Sequence, residues 1–253
     1  MTIPPKYTYD IMEVCLLAGR IMLQSGAETY RVEDTMMRIA SSFGAKESHS
    51  YVTPTGIMFS IESDESTQTK LARITDRTTD LHKVTLVNSI SRKISNGELT
   101  MADAYQELMD IKNSSPTYSV PIQIIAAAIA SGCFLIMFNG TWSDFLPALV
   151  AGGTGLISFI YAQKLVPIKF FSEFVASLII GLLSLIFVNI GWGTELDKII
   201  IGSVMPLVPG LLLTNAVRDL MAGHLVSGLS KGAEALLTAF AIGSGIAVVL
   251  TFL

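Results

Sequence analysis

The chain has 253 residues, of which 51% are hydrophobic and only 15% charged, and its mean hydropathy is +0.55. A soluble domain usually carries about 25% charge, so this composition excludes a disordered chain, a collagen-like chain and a highly charged coiled coil. Two cysteines, Cys15 and Cys133, exclude a disulfide scaffold and a cysteine-rich zinc module, and a net charge of -4 gives no electrostatic reason to expect nucleic acid as a partner.

The charge is unevenly divided. Residues 1–115 carry 12 Lys/Arg and 15 Asp/Glu, whereas residues 116–253 carry 5 and 6. The first part reads as a small α+β domain and the second as membrane protein, with Asn113-Ser114-Ser115-Pro116 as a short polar linker. Met1–Tyr9 has two prolines and no apolar run, so no signal peptide is expected.

In chain order, Asp10–Gln24 predicts a helix with Ile11, Val14, Cys15, Ala18 and Met22 on one stripe, closed by Ser25-Gly26. A second helix is expected over about Glu28–Phe43, with Val32, Met36, Ile39 and Phe43 on one face and Gly44 at its end. Ser48–Thr53, Ile57–Glu62 and Thr67–Ile74 are rich in Thr, Ile, Tyr and Val and predict strands. Thr53-Pro54-Thr55-Gly56 and Glu62–Ser66 supply the turns between them. A third helix is expected over about Asp80–Ser95, and Thr100 caps a short fourth, with Asp103 in capping-box spacing.

The remaining chain holds five apolar runs. A spanning helix needs roughly 20 apolar residues to cross about 30 Å of hydrocarbon. The runs at 120–138, 145–161, 170–190, 199–217 and 233–253 fit, and in lipid they must be helices to satisfy their own backbone. The expected fold class is therefore a mainly α membrane protein: a bundle of five transmembrane helices (116–253) preceded by a small cytoplasmic α+β domain (1–115). Lys164 and Lys169 in loop 162–169, and Arg218 and Lys231 in loop 218–232, place those loops and the N-terminus on the cytoplasmic side of the cell membrane. The C-terminus then lies outside, and Trp142 and Trp192 fall in outer loops.

Nothing in the motif content suggests an enzyme or a cofactor. The chain lacks a P-loop, a G-x-G-x-x-G leading into a helix and an H-E-x-x-H, and it offers no metal site. A hydrolase could use His49 with Ser48 or Ser50 and Asp64; the plainer reading is a strand histidine among hydroxyl residues. Cys15 reads as a buried core thiol.

Polar groups in the membrane part carry more information, because ionisable residues in spanning helices are costly. Pro206, Pro209 and Gly210 predict a break in the fourth run, of the kind that exposes backbone at transporter sites. Asn215, Arg218 and Asp219 follow at i, i+3 and i+4 on one helical face. Arg218 and Asp219 could receive the carboxylate and ammonium of an amino acid, or could pair with each other. Glu173 and Glu234, near helix ends, are candidate proton carriers or interfacial side chains. Asp144 reads as a solvated boundary residue, and Gly152-Gly153-Thr154-Gly155 as a close-packing segment.

Several segments together resemble the threonine/serine exporter family: Gly26-Ala27-Glu28-Thr29-Tyr30-Arg31-Val32-Glu33, Thr53-Pro54-Thr55-Gly56, Asn96-Gly97-Glu98-Leu99-Thr100, Pro206-Leu207-Val208-Pro209-Gly210, Asn215-Ala216-Val217-Arg218-Asp219-Leu220 and Gly232-Ala233-Glu234-Ala235-Leu236. The resemblance spans about residues 10–253. It implies proton-driven export of small hydroxy amino acids, with dicarboxylates such as succinate as an alternative cargo. Longer members of that family carry a second, smaller group of membrane helices. A chain with five spans therefore implies a small membrane partner subunit or a homo-oligomer. A membrane-anchored hydrolase and a non-catalytic assembly subunit are the competing readings.

Overall fold

The computed structural model describes residues 5–62, 67–114, 118–166 and 168–251. The linker residues Ser115-Pro116, the turn positions 63–66 with Asp64, and the Lys169 side chain lie outside the described set. The chain packs as two compact units: residues 1–117 with 211–232, and residues 118–210 with 233–253.

The first unit contains α1 (Pro5–Gln24), α2 (Thr29–Ser42), β1 (Glu47–Thr53), β2 (Gly56–Glu62), β3 (Thr67–Arg73), α3 (Leu81–Ser95) and α4 (Met101–Asn113). It also holds residues 211–232, which the sequence reading gives to the membrane part. Helix α1 begins earlier than its apolar stripe, at Pro5, where a missing N–H costs a helix nothing. Its stripe is the centre of the core: Ile11, Val14, Cys15, Ala18 and Met22 are buried with Val32, Met36 and Ile39 of α2. Ile57, Phe59 and Ile61 of β2, Val87 and Ile90 of α3, and Leu108 of α4 complete it.

The strands form an antiparallel meander in the order β1-β2-β3. Val52 pairs with Ile57, and Ile57 with Ala72, so one row of the sheet faces the core. The two residues Pro54 and Thr55 turn the first hairpin. Asp80 caps α3 by accepting Lys83 N–H at 3.2 Å, and Thr100 caps α4 by accepting Asp103 N–H at 3.3 Å.

The second unit contains α5 (Val120–Met137), α6 (Phe145–Leu165), α7 (Lys169–Asn189) and α8 (Leu196–Val204), with 3-10 turns at Trp142–Asp144 and Met205–Leu207. Two helices follow the break: α9 (Gly210–Met221) and α10 (Leu225–Leu250), the latter entering this unit from Ala233. Among the described residues, four helices are long and apolar enough to cross a membrane, or five if Leu196–Leu207 and Gly210–Met221 count as one broken span. The break falls at Pro206, Val208, Pro209 and Gly210: helical turns stop at Leu207, Val208 is extended, and helix resumes at Gly210. Prolines that cannot donate to the preceding turn account for the interruption.

Two expectations change. The loop 218–232 is mostly helical and is reduced to the turn Ala222–His224, because Gly223 supplies a left-handed φ of 87° and α10 starts eight residues before its apolar run. Asp144 is buried, not solvated. It accepts Thr194 N–H at 2.7 Å, Thr194 Oγ1–H at 2.8 Å and Glu195 N–H at 3.1 Å, and so fastens the α7–α8 connection to the start of α6.

Small residues set the helix spacing in this unit. A Cβ on Gly152 would meet the Ser131 side chain, and one on Gly245 would lie 2.6 Å from the Phe174 carbonyl oxygen. Outer faces carry Ile125, Leu146, Ile186 and Phe240, all exposed, as helices surrounded by apolar solvent require. Gly245→Ala should therefore destabilise the α7–α10 seam by about 1–3 kcal/mol through overpacking. Gly243→Ala, with open space at its Cβ, should be tolerated. Thermal unfolding of the two variants in detergent checks the difference.

Candidate functional site

Helix α2 begins without a good cap of its own. Residue 28 stands at the N-cap, where Ser, Thr, Asp or Asn would ordinarily satisfy an orphan amide. Glu28 instead turns its carboxylate to Arg31 Nε (3.2 Å) and Arg218 Nη1 (2.5 Å). The missing acceptor comes from α9. Asp219 Oδ1 accepts the Thr29 amide at 2.9 Å, and Asp219 Oδ2 accepts the Thr29 hydroxyl at 2.9 Å.

Asp219 is fully buried, and its charge is balanced by Lys231, whose side chain is 5% exposed and whose Nζ donates to Oδ2 at 2.7 Å. The ammonium has three donors. The other two reach Thr29 Oγ1 (3.2 Å) and Ala27 O (3.4 Å). Asp219, Thr29 and Lys231 thus close a hydrogen-bonded ring at the positive end of α2, where a carboxylate is favoured. Asn215, one turn before Asp219, donates to Gly26 O at 2.9 Å. Gly26 itself sits at φ 89°, a conformation that other residues adopt only at a cost.

A second set of contacts continues from the ring. Glu33 Oε1 accepts Val52 N–H at 2.8 Å and faces His224 Nδ1 at 3.7 Å, and Ser227 Oγ donates to Val52 O at 3.1 Å. The outer edge of β1, paired on its other side with β2, is covered in this way. Arg218 alone of this set keeps its side chain 53% exposed. It borders an open depression of about 430 Å³ together with Leu213, Thr214 and Val217.

Asn215, Arg218 and Asp219 therefore share one helix, as their spacing predicts, but each meets the Gly26–Thr29 segment. Arg218 and Asp219 do not pair with each other in this arrangement; Glu28 and Lys231 take those roles. Glu173, on α7, is buried and accepts the Thr238 hydroxyl of α10 at 3.2 Å, while Glu234 lies one turn before Thr238 and is half-buried. Sequence reasoning missed Thr29, Glu33, His224 and Lys231 as partners of this site. The one available signal was the helix beginning at Thr29 with a glutamate in place of a capping residue.

The serine–histidine pair of the hydrolase reading is not formed along β1, and its Asp64 lies outside the described residues. Successive strand residues face opposite sides of a sheet, so neither Ser48 nor Ser50 shares a face with His49. Among the described residues, the acidic side chains near His49 are Glu47 and Glu62, at 3.4 and 3.9 Å, and the imidazole is 61% exposed. Cys15 is fully buried, and burial pushes its thiol pKa far above the ordinary range, which makes it inert.

Apolar helices packed through small residues, one run broken by prolines, and a buried polar clasp define a multi-pass membrane protein. The family model described as "Putative threonine/serine exporter" matches residues 13–253. The chain belongs to the threonine/serine exporter family, a family of transporters and not of enzymes. Among curated proteins it is similar to "Probable succinate transporter subunit YjjP" of Klebsiella aerogenes, at 26% identity over 95% of this chain and 93% of that one. The Escherichia coli protein of the same name is 28% identical over 95% and 94%. "Threonine/serine exporter" of Corynebacterium glutamicum is 21% identical over 93% of this chain but 50% of its own length. No solved structure matches the chain.

The ring makes a direct prediction. Asp219→Ala strands a buried ammonium, which typically costs about 3–5 kcal/mol. The double variant Asp219→Leu, Lys231→Met removes both charges and should recover much of that loss. Thermal midpoints of the single and double variants, compared in one detergent, read the difference.

Proposed function

We propose that the chain is a secondary exporter of small carboxylate-bearing metabolites, threonine and serine first, driven by the proton gradient across the cytoplasmic membrane. Family membership supports the class. The observation that carries the site is the half-exposed guanidinium of Arg218 beside an open depression. A guanidinium binds carboxylates through paired donors. In this reading Arg218 receives the substrate carboxylate, and Asn215 and Asp219 hold α9 so that Arg218 is presented. The break at Pro206, Pro209 and Gly210 lets α9 move independently of α8. Glu173 and Glu234 carry the coupled protons. In the same reading the broken pair counts as one span, and the N-terminus is cytoplasmic and the C-terminus outside.

A partner membrane subunit completes the pathway. The chain spans half of the Corynebacterium exporter, while relatives of matching length are named as subunits. Those same relatives favour a second cargo, a dicarboxylate such as succinate. Threonine and succinate share a carboxylate, which is the group that Arg218 would read.

Reconstitution of the chain, alone and with its partner subunit, tests the proposal through efflux of labelled threonine and succinate. Arg218→Ala should lower efflux at least about tenfold, the size of one lost charge-assisted contact, while the thermal midpoint stays close to wild type. Unchanged efflux would remove Arg218 from the site. Efflux insensitive to collapse of the proton gradient would remove the coupling.

A further inference from the structure

The Asp219 ring is internally satisfied, but the pair beside it is open to protons. Glu33 lies one turn beyond Thr29 on α2, and its Oε1 both accepts the Val52 amide at 2.8 Å and faces His224 Nδ1 at 3.7 Å. His224 sits in the turn between α9 and α10, where its own amide donates to the Asp219 main-chain oxygen at 2.9 Å. Side-chain exposure is 13% for Glu33 and 24% for His224. The carboxylate is largely withdrawn from water, and the imidazole still reaches it.

The charges around Glu33 leave His224 as its balance. From β1 it receives only the Val52 amide. From α9 it faces Asp219, a charge of the same sign. Lys231 of α10 is engaged by Asp219, and Arg31 of α2 by Glu28. His224 is therefore the cationic partner within reach of the carboxylate.

We propose that Glu33 and His224 together bind one exchangeable proton, and that this proton fastens the α9–α10 turn onto α2 and β1. With the proton on the imidazole, Glu33 keeps its charge and an ion pair closes across the turn. Once the proton leaves, the carboxylate faces Asp219 with the Val52 amide as its remaining support. The clasp then loosens at both its ends, since Ser227, in the first turn of α10, holds the Val52 carbonyl.

The direction of the pH effect follows from burial. Desolvation raises the Glu33 pKa above its ordinary value, the Val52 amide and His224 pull it down, and Asp219 adds to the rise. A carboxylate whose folded-state pKa is raised contributes stability at low pH and loses it as pH rises through that pKa. The link to transport rests on the reading of Arg218 above, because the turn directly follows Arg218 and Asp219; the titration itself does not.

The test uses the purified full chain in detergent. Apparent thermal midpoints are recorded from pH 5.5 to 8.5 for wild type, Glu33→Gln, His224→Gln and the double variant. Wild type should fall with rising pH by about 2–4 °C more than Glu33→Gln, the shift expected for one modest interaction in a chain of this size. The double variant should follow Glu33→Gln, and the exposed His49 and His82 contribute equally to all four. Parallel profiles for wild type and Glu33→Gln would overturn the proposal. Should Glu33→Gln fail to fold, hydrogen exchange over residues 50–54 and 222–228 decides the matter. Wild type should lose protection as the pH rises from 5.5 to 8.5, and a His224→Gln variant with the same pH dependence would overturn the proposal. A moved stability profile with unchanged threonine efflux supports the proton site and removes only its link to transport.

Discussion

One carboxylate at one helix terminus organises the first unit. Helix α2 cannot satisfy its first amide from Glu28, so Asp219, 190 residues later in sequence, does it. A buried carboxylate needs a counter-charge, and Lys231 provides it. The lysine in turn needs three acceptors in place of water, and finds them in Asp219, Thr29 and Ala27. Each requirement leads to the next, and together they explain why residues 211–232 pack as part of the first unit and not with the apolar helices that flank them in sequence. Buried ion pairs are poor sources of net stability but are strongly destabilising to break. The ring therefore specifies where α9 sits more than it deepens the fold.

The second unit is built on a different principle. Its helices approach through Gly152, Gly155, Gly202 and Gly245, where a neighbouring side chain or carbonyl occupies the space a Cβ would fill. Within lipid there is no hydrophobic force between helices, so close packing of small residues does the work. Ser131, Ser177, Ser184 and Ser203 are buried in the same seams, their hydroxyls turned to backbone carbonyls. Asp144 repeats at the α7–α8 connection what Asp219 does at α2. A buried carboxylate gathers amides that would otherwise lack acceptors.

Much of this was legible in the sequence. The stripe Ile11, Val14, Cys15, Ala18 and Met22 identified α1, the hydroxyl of Thr100 marked the start of α4, and Pro206, Pro209 and Gly210 marked the break. These signals are local: periodicity, cap chemistry and missing amides act within a few residues. The candidate site was legible only in part. The spacing of Asn215, Arg218 and Asp219 gave their common face, but their partners Gly26, Glu28 and Thr29 lie about 190 residues away, and spacing carries no such information. Lys231 was read as a loop charge because the polar stretch 218–232 resembles a connection, whereas Gly223 turns the chain within three residues and α10 extends back through it. Asp144 misled for the same reason: a boundary position does not reveal the Thr194 and Glu195 amides that enclose it.

The central claim is that Asp219 is the acceptor on which the start of α2 depends. Amide hydrogen exchange across residues 26–33, compared between wild type and Asp219→Ala with residues 81–95 of α3 as an internal reference, addresses it directly. The account predicts that protection of the Thr29 amide collapses in the variant by clearly more than the uniform loss that the α3 amides show. Full protection of Thr29 without the Asp219 carboxylate would contradict it.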